Sequence, residues 1–201
     1  MTVTVQRFNE IGLSISPEKI YSPIDSINQY IIKNNISNVM VVGSDDEICQ
    51  IQANHTLVNP ELIILLDFEK NNFGYNDLQV IINNLNNENR IISASGSPYY
   101  LKNGRKIIDT GAFVSLLESI TDQKIEILGK PSSQYFQNAQ RIFNENLKSI
   151  TVIGDDWKTD IMGAKNVGYN SILMRSGKYK LGDEKLCNPD SVIDNFLTLI
   201  P

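Results

Sequence analysis

The segment from Ser149 to Gly168 constrains the fold of this chain more than any other part of the sequence. It begins with four β-branched residues at 150–153, which predict a buried strand. Gly154 ends this run, an acidic stretch follows, and apolar residues then recur at helical spacing up to Gly168, which suits the position after a helix end. A strand, an acidic loop and a helix in this order predict an α/β fold. In open α/β sheets, ligands bind at the carboxyl ends of the strands, where such a loop lies.

Three aspartates, Asp155, Asp156 and Asp160, fall within six residues of this segment. Two unit charges about 4 Å apart repel by roughly 4 kcal/mol near a protein surface, so converging carboxylates favour a cation between them. Oxygen ligands without a nearby His or Cys suit a hard ion, and Mg²⁺ is the first candidate. The alternative is that Asp155 or Asp160 caps the helix. The residues of this segment leave both interpretations open.

Composition limits the classes of function. The chain has 201 residues, enough for one large or two small domains, and its net charge of −5 argues against sequence-independent binding of nucleic acid. No apolar run reaches transmembrane length, and the first residues lack the pattern of a signal peptide. Cys49 and Cys187 are far apart and have no metal-type spacing, which fits a reducing, cytoplasmic setting; a disulfide between them is the alternative. His55 is the only histidine, which argues against a Ser-His or Cys-His mechanism.

Periodicity predicts further elements along the chain. Strands are expected at 39–42, 62–66, 90–95 and 171–174. Helices are expected at 3–12, after a cap at Ser22 or Asp25, at 78–85 and at 111–120. Neither an internal repeat nor a linker rich in Pro, Gly and Ser occurs between them.

Two motifs resemble those of the haloacid dehalogenase (HAD) superfamily. Gly154-Asp-x-x-x-x-Asp160 after a strand resembles the fourth motif of that family, and the stretch at 125–136 resembles the third, with Lys130 as its lysine. Ser176-Gly-Lys-Tyr179 resembles the segment that follows in the family. The stretch at 13–20 resembles a family segment in which a helix ends and a Ser-Pro-Glu turn follows, which implies a strand at 19–22. The chain is most similar to the NagD-like branch, and the resemblance covers nearly all of it.

The resemblance implies an α/β fold with a HAD-like Rossmannoid core, incomplete at its N-terminal side, and a large inserted α/β cap. The core would comprise residues 1–35 and 127–201, and the cap residues 36–126. Lys130 would neutralise a phosphoryl group as a catalytic residue, Asp155 would bind Mg²⁺, and Asp160 would support that metal directly or through water. Asp156 would belong to the loop, where relatives carry varied residues.

Two further acidic clusters need an interpretation. The run at 45–47 is predicted to be a solvated helix start within the cap. Asp67-Phe-Glu69 follows an apolar strand and superficially resembles the D-x-D nucleophile motif of the family. Its second acidic residue is Glu and no Gly-Thr follows, so it too is assigned to the cap.

The D-x-D-G-T motif that supplies the nucleophile in HAD phosphatases does not occur in these 201 residues. In the family, the strand that carries this motif lies beside the strand at 150–153, so the strand at 150–153 is expected to have an unpaired edge here. Another chain could supply the missing strand, the chain could dimerise through this edge, or the sequence could belong to a longer gene product. The resemblance implies a Mg²⁺-dependent phosphohydrolase acting on a small phosphorylated metabolite, inactive or incomplete as this chain alone. The alternative is a non-catalytic protein that binds a phosphorylated ligand or a protein partner.

Overall fold

The computed structural model of the chain describes residues 3–10, 12, 14–67, 74–85, 89–121 and 123–199. The α-helices are α1 (Val3–Glu10), α2 (Pro23–Lys33), α3 (Asp45–Ile48), α4 (Tyr75–Asn84), α5 (Thr110–Thr121), α6 (Ser133–Phe143), α7 (Met162–Asn166) and α8 (Asp183–Cys187). The strands are β1 (Asn38–Val42), β2 (Asn54–His55), β3 (Leu62–Leu65), β4 (Arg90–Ser93), β5 (Tyr99–Lys102), β6 (Arg105–Ile108), β7 (Glu126–Ile127), β8 (Thr151–Gly154), β9 (Asn170–Met174) and β10 (Ser191–Ile193).

The larger sheet is parallel and has the strand order β2-β1-β3-β4-β7. Its strand β3 is buried along its whole length, as expected for a parallel strand covered on both faces. Leu62 and Ile64 pack with helix α2 on one face, whereas Ile63 and Leu65 pack with helices α4 and α5 on the other. The alternation of side chains along a strand therefore places one apolar cluster on each side of this sheet.

The smaller sheet is also parallel and has the order β10-β9-β8. Phe136 of α6, Ala164 of α7 and Tyr169 form one buried cluster beside it, and Ile161, Leu173 and Cys187 form another. Strands β5 and β6 make a separate antiparallel hairpin. None of the helices in the described ranges combines enough length with enough apolar character to cross a bilayer.

The structure confirms the predicted α/β class, because both larger sheets are parallel and helices pack on them. It also shows a full capping box at α2, in which the Ser22 hydroxyl accepts from the Asp25 N–H and the Asp25 carboxylate accepts from the Ser22 N–H. Both suggested caps therefore act together. The boundaries proposed for core and cap stay a prediction.

The strand predicted at 19–22 is wrong. A 3₁₀ turn occupies Pro17–Lys19, and the N–H of Ile20 donates to the carbonyl of Pro17. Ile20 and Ser22 have extended backbone angles, but within the described residues neither pairs with a neighbouring strand, so the segment forms no ladder. The acidic run at 45–47 begins the short helix α3, as predicted. Phe68 and Glu69 of the D-x-D-like triplet lie outside the described residues, and only Asp67 can be placed.

Candidate active site at the carboxyl ends of the strands

Lys130 and Asp160 form a close ion pair. Lys130 follows β7, and Asp160 lies in a single π-helical turn, Trp157–Ile161, that connects β8 to α7. The Lys130 ammonium lies 2.7 Å from Asp160 Oδ1, with 8% of the Asp160 side chain and 48% of the Lys130 side chain exposed. The other carboxylate oxygen, Oδ2, accepts a hydrogen bond from the backbone N–H of Asp156 at 3.2 Å. The Asp160 carboxylate is therefore fixed from two sides.

Gly154 makes this arrangement possible. It is the last residue of β8, and its backbone lies so close to the Asp160 side chain that an added Cβ would overlap the carboxylate. Any larger residue at this position must displace Asp160 or the strand end. The requirement for glycine here is steric and does not depend on an unusual backbone angle.

Asp155 is held by the loop that follows β9, the neighbouring strand. Its Oδ2 accepts a hydrogen bond of 2.6 Å from the backbone N–H of Lys178. Gly177, just before Lys178, has a φ of 50° and also approaches the Asp155 carboxylate too closely for a Cβ. Asp155 and Asp160 thus project from the carboxyl end of β8, with Asp155 braced by the loop after β9.

Asp156 pairs with a lysine that the sequence did not suggest as a site residue. Its Oδ2 lies 2.8 Å from the Lys178 ammonium, and both side chains are 15% exposed. Its Oδ1 caps the π-helical turn by accepting from the N–H groups of Lys158 and Thr159. Burial alone would raise the pKa of Asp156, but the hydrogen bond and charge of Lys178, with the two backbone N–H groups, lower it below the usual value of 3.8. Asp156 therefore remains a carboxylate at neutral pH.

Lys178 also connects this loop to residues near the β5–β6 hairpin. Its ammonium donates to the Ser97 hydroxyl at 2.6 Å and lies 5.1 Å from the centre of the Tyr99 ring. A cleft of about 420 Å³ opens at this point, between residues 96–106, Pro131 and the segments at 156–159 and 178–186. The position of Lys178 beside the cleft makes it a candidate site residue that sequence reasoning missed. The segment Ser176 to Tyr179 resembled a family motif, but the direction of the Lys178 side chain is a tertiary feature.

A tyrosine packed near the site is not an acid or base at physiological pH. Tyr135 of α6 is mostly buried, stacks on Tyr21 with ring centres 5.2 Å apart, and donates from its hydroxyl to the Tyr21 carbonyl. Burial, helped by the nearby Tyr21, Asp25 and Asp160, raises the pKa of Tyr135 to about 12. Its phenol therefore stays protonated and serves packing.

The chemistry of the donor atoms fits Mg²⁺. Asp155 and Asp160 offer only carboxylate oxygens, and Mg²⁺ in proteins is commonly bound by one or two carboxylates together with water and substrate phosphate oxygens. Both oxygens of Asp160 accept hydrogen bonds, from Lys130 and from the Asp156 N–H, whereas Asp155 is shown to accept at Oδ2 only, so Asp155 is the better placed direct ligand. In the part of the chain that the structure describes, no group of three or more His, Cys, Asp or Glu side chains could enclose a metal. A cation here would keep most of its ligands as water or phosphate.

Comparison with known sequences supports the family suggested by the motifs. A family model described as HAD-hydrolase-like matches residues 127–199. The chain is 29% identical over 198 residues to the phospholysine phosphohistidine inorganic pyrophosphate phosphatase of Xenopus laevis, covering 96% of this chain and 70% of that protein. It is 27% identical over 185 residues to haloacid dehalogenase-like hydrolase domain-containing protein 2 of Rattus norvegicus, covering 92% and 70%.

Solved structures show the same fold. NagD from Escherichia coli K-12 superposes with a TM-score of 0.82 at 20% identity, covering 96% of this chain and 77% of NagD. The 4-nitrophenylphosphatase of Thermotoga maritima superposes with a TM-score of 0.85 at 18% identity, covering 96% and 76%. Sequence motifs, relatives and fold agree: residues 127–199 match the HAD-hydrolase-like model, the sequence relatives are HAD-type proteins, and the chain has the NagD-like fold.

Proposed function

We propose that this chain carries the cation- and phosphate-binding part of a HAD-type phosphohydrolase site, for a small phosphorylated metabolite. Two observations support the proposal: the Lys130–Asp160 ion pair, and the position of Asp155 directly after β8, at the end of the strand from which the turn with Asp160 also follows. The names of the sequence relatives, which are phosphatases and hydrolases, support the same chemistry.

Each side chain has a distinct role in this proposal. Asp155 would bind Mg²⁺, and the ion would draw negative charge from the phosphoryl oxygens. Lys130 would place its half-exposed ammonium against the same phosphoryl group. Asp160 would act mainly as a positioning residue, because its oxygens hold the Lys130 ammonium and the Asp156 N–H.

The nucleophile is the part of the mechanism that these residues do not supply. A HAD phosphatase attacks phosphorus with the first Asp of a D-x-D-G-T motif, which does not occur in these 201 residues. We therefore propose that the chain alone binds the phosphorylated ligand but does not hydrolyse it. This observation also favours the second candidate, a non-catalytic protein that binds a phosphorylated ligand.

Calorimetric titration with Mg²⁺, followed by inorganic phosphate, tests the proposed site. We expect weak Mg²⁺ binding, because two carboxylates provide few of the required ligands, and phosphate binding that depends on Mg²⁺. Release of phosphate from p-nitrophenyl phosphate should stay at the level of buffer with Mg²⁺. Absence of heat with both ligands would refute the binding site, and steady turnover would refute the statement that a nucleophile is lacking.

We also propose that the open side of β8 pairs with a strand of a second copy of this chain or of a partner chain. Within the described residues, β8 pairs only with β9. The carbonyl of Ile150 faces β9, since it accepts a hydrogen bond from the N–H of Asn170. The backbone groups of successive residues in a strand point to opposite sides, so the N–H of Thr151 faces the open side. An exposed strand edge of this kind favours association.

Sedimentation velocity tests this association. We expect the chain to self-associate as its concentration rises, and Thr151→Pro, which removes one N–H from the open side, to reduce the association. Asn170→Pro is unsuitable as a control because the Asn170 N–H donates to β8. Ser16→Pro serves instead, because Ser16 is exposed and its φ of −76° already suits proline. A chain that stays monomeric at high concentration would exclude the second copy and leave a different partner chain as the occupant.

The two free cysteines support a reducing compartment. Cys49 is exposed and Cys187 is buried, and neither forms a disulfide. We therefore propose a cytoplasmic location, where such thiols persist.

A further inference from the structure

The cleft beside the candidate site carries more positive than negative charge, although the whole chain has a net charge of −5. The charged side chains that line it are four lysines and two aspartates: Lys106, Lys158, Lys178, Lys180, Asp156 and Asp183. In an acidic chain, such a local reversal of sign attracts anions and strengthens their binding in a concave site.

Most of this positive charge is not neutralised by the protein. In the described ranges, Lys178 is the only one of the four lysines with a carboxylate at salt-bridge distance, that of Asp156. The Lys106 ammonium lies 4.6 Å from the centre of the Tyr99 ring, and the Lys158 ammonium lies 5.4 Å from that of Trp157. Aromatic faces orient these cations without cancelling their charge, so both remain available to an anion.

The cleft directly adjoins the proposed phosphoryl site. Pro131, Asp156 and Thr159 line the cleft, and each is the chain neighbour of one of the three site residues Lys130, Asp155 and Asp160. Lys178 spans both places, because its N–H donates to Asp155 while its ammonium lines the cleft. A molecule whose phosphoryl group lies against Asp155 and Lys130 would extend its remaining part into this cleft.

We propose that the cleft binds a second anionic group of the substrate, a carboxylate or a second phosphoryl group, and that Lys106 and Lys158 are its specificity-determining residues. The inference rests on the proposed function, because that site holds the first phosphoryl group. It adds that the ligand is a small molecule with two anionic groups. A neutral leaving group would leave the lysine charges at the cleft without a counterion from the ligand.

Calorimetry with non-hydrolysable phosphonates tests the inference in the presence of Mg²⁺. Methylphosphonate carries one anionic group, phosphonoacetate adds a carboxylate, and methylenediphosphonate adds a second phosphonate. We expect the better of the two larger probes to bind about tenfold more tightly than methylphosphonate, which corresponds to about 1.4 kcal/mol. Whichever larger probe binds better identifies the second group as a carboxylate or a phosphoryl group.

Variants separate this inference from the proposed function. The double variant Lys106→Gln and Lys158→Gln should lose the preference for the larger probes but keep its affinity for methylphosphonate. The double variant Lys19→Gln and Lys33→Gln removes the same number of charges from two exposed lysines that do not line the cleft, so it is the matched control and should behave as the parent chain. Chelation of Mg²⁺ by a probe in solution is the same for every variant, so the differences between variants report on the lysines.

The two failures have different signatures. Equal affinity of the parent chain for all three probes, or a preference that survives in the double lysine variant, would overturn the inference about the cleft. Methylphosphonate binding that is unchanged in Asp155→Asn would overturn the proposed function instead. Thermal melting of each variant shows whether it is folded. If the preference of the parent chain for the larger probes falls with added salt, the lysine charges bind them electrostatically.

Discussion

Asp155→Asn is expected to lower the affinity for Mg²⁺, and the Mg²⁺-dependent affinity for phosphate, by about a hundredfold or more. Loss of a residue that only supports a metal ligand commonly lowers metal affinity by 10–100-fold, and loss of a direct ligand should cost at least as much. The substitution keeps the size of the side chain and an oxygen that can accept from the Lys178 N–H. It removes the negative charge that we assign to the cation. Titration calorimetry of the variant beside the parent chain measures the effect.

A distant aspartate provides the control for this prediction. Asp194 pairs with Arg175 and is 74% exposed, so Asp194→Asn removes the same charge from the chain away from the candidate site. Its Mg²⁺ and phosphate affinities should equal those of the parent chain. If the two variants weaken binding equally, the effect reflects net charge, and Asp155 is not a ligand.

Gly154→Ala is expected to destabilise the chain by about 3 kcal/mol, at the upper end for an overpacked site. The added methyl group would occupy the space of the Asp160 carboxylate. That carboxylate is nearly buried, braced by the Asp156 N–H and paired with Lys130, so it has little freedom to move away. The midpoint of urea unfolding measures the loss, and weaker phosphate binding should accompany it.

Gly168→Ala distinguishes steric overlap from backbone strain. Gly168 has a φ of 80° and open space around the position of a Cβ, so alanine there is strained only through its left-handed backbone. The cost should be about 1–2 kcal/mol, with phosphate binding unchanged. If Gly154→Ala lowers the free energy of unfolding by no more than Gly168→Ala does, the Asp160 carboxylate can move aside and is not fixed by Lys130 and the Asp156 N–H.

The sequence predicted the elements around the site well because their signals are local. The β-branched run before Gly154 forms β8, and Gly168 adopts the positive φ expected after a helix. Ser22 and Asp25 form the capping box of α2 because both groups lie within one helical turn. The turn expected before residue 19 is present, but the strand expected at 19–22 is not, because strand assignment requires a pairing partner and this extended segment has none in the described residues.

The order of the strands and the partners of the charged side chains were decided only by the tertiary structure. The family resemblance implied that Asp155, Asp160 and Lys130 act together. Only the fold shows that Asp160 pairs with Lys130, 30 residues away in sequence, and that the loop after β9 holds Asp155.

By itself, the sequence determined the α/β class, the acidic loop and the family motifs, since periodicity, caps and short motifs depend on neighbours along the chain. Only the tertiary structure placed Lys178 between Asp156 and Ser97 and gathered four lysines around one cleft. Those groups are far apart in sequence, and contacts of this kind arise when the packing of sheets and helices brings distant loops to the same edge.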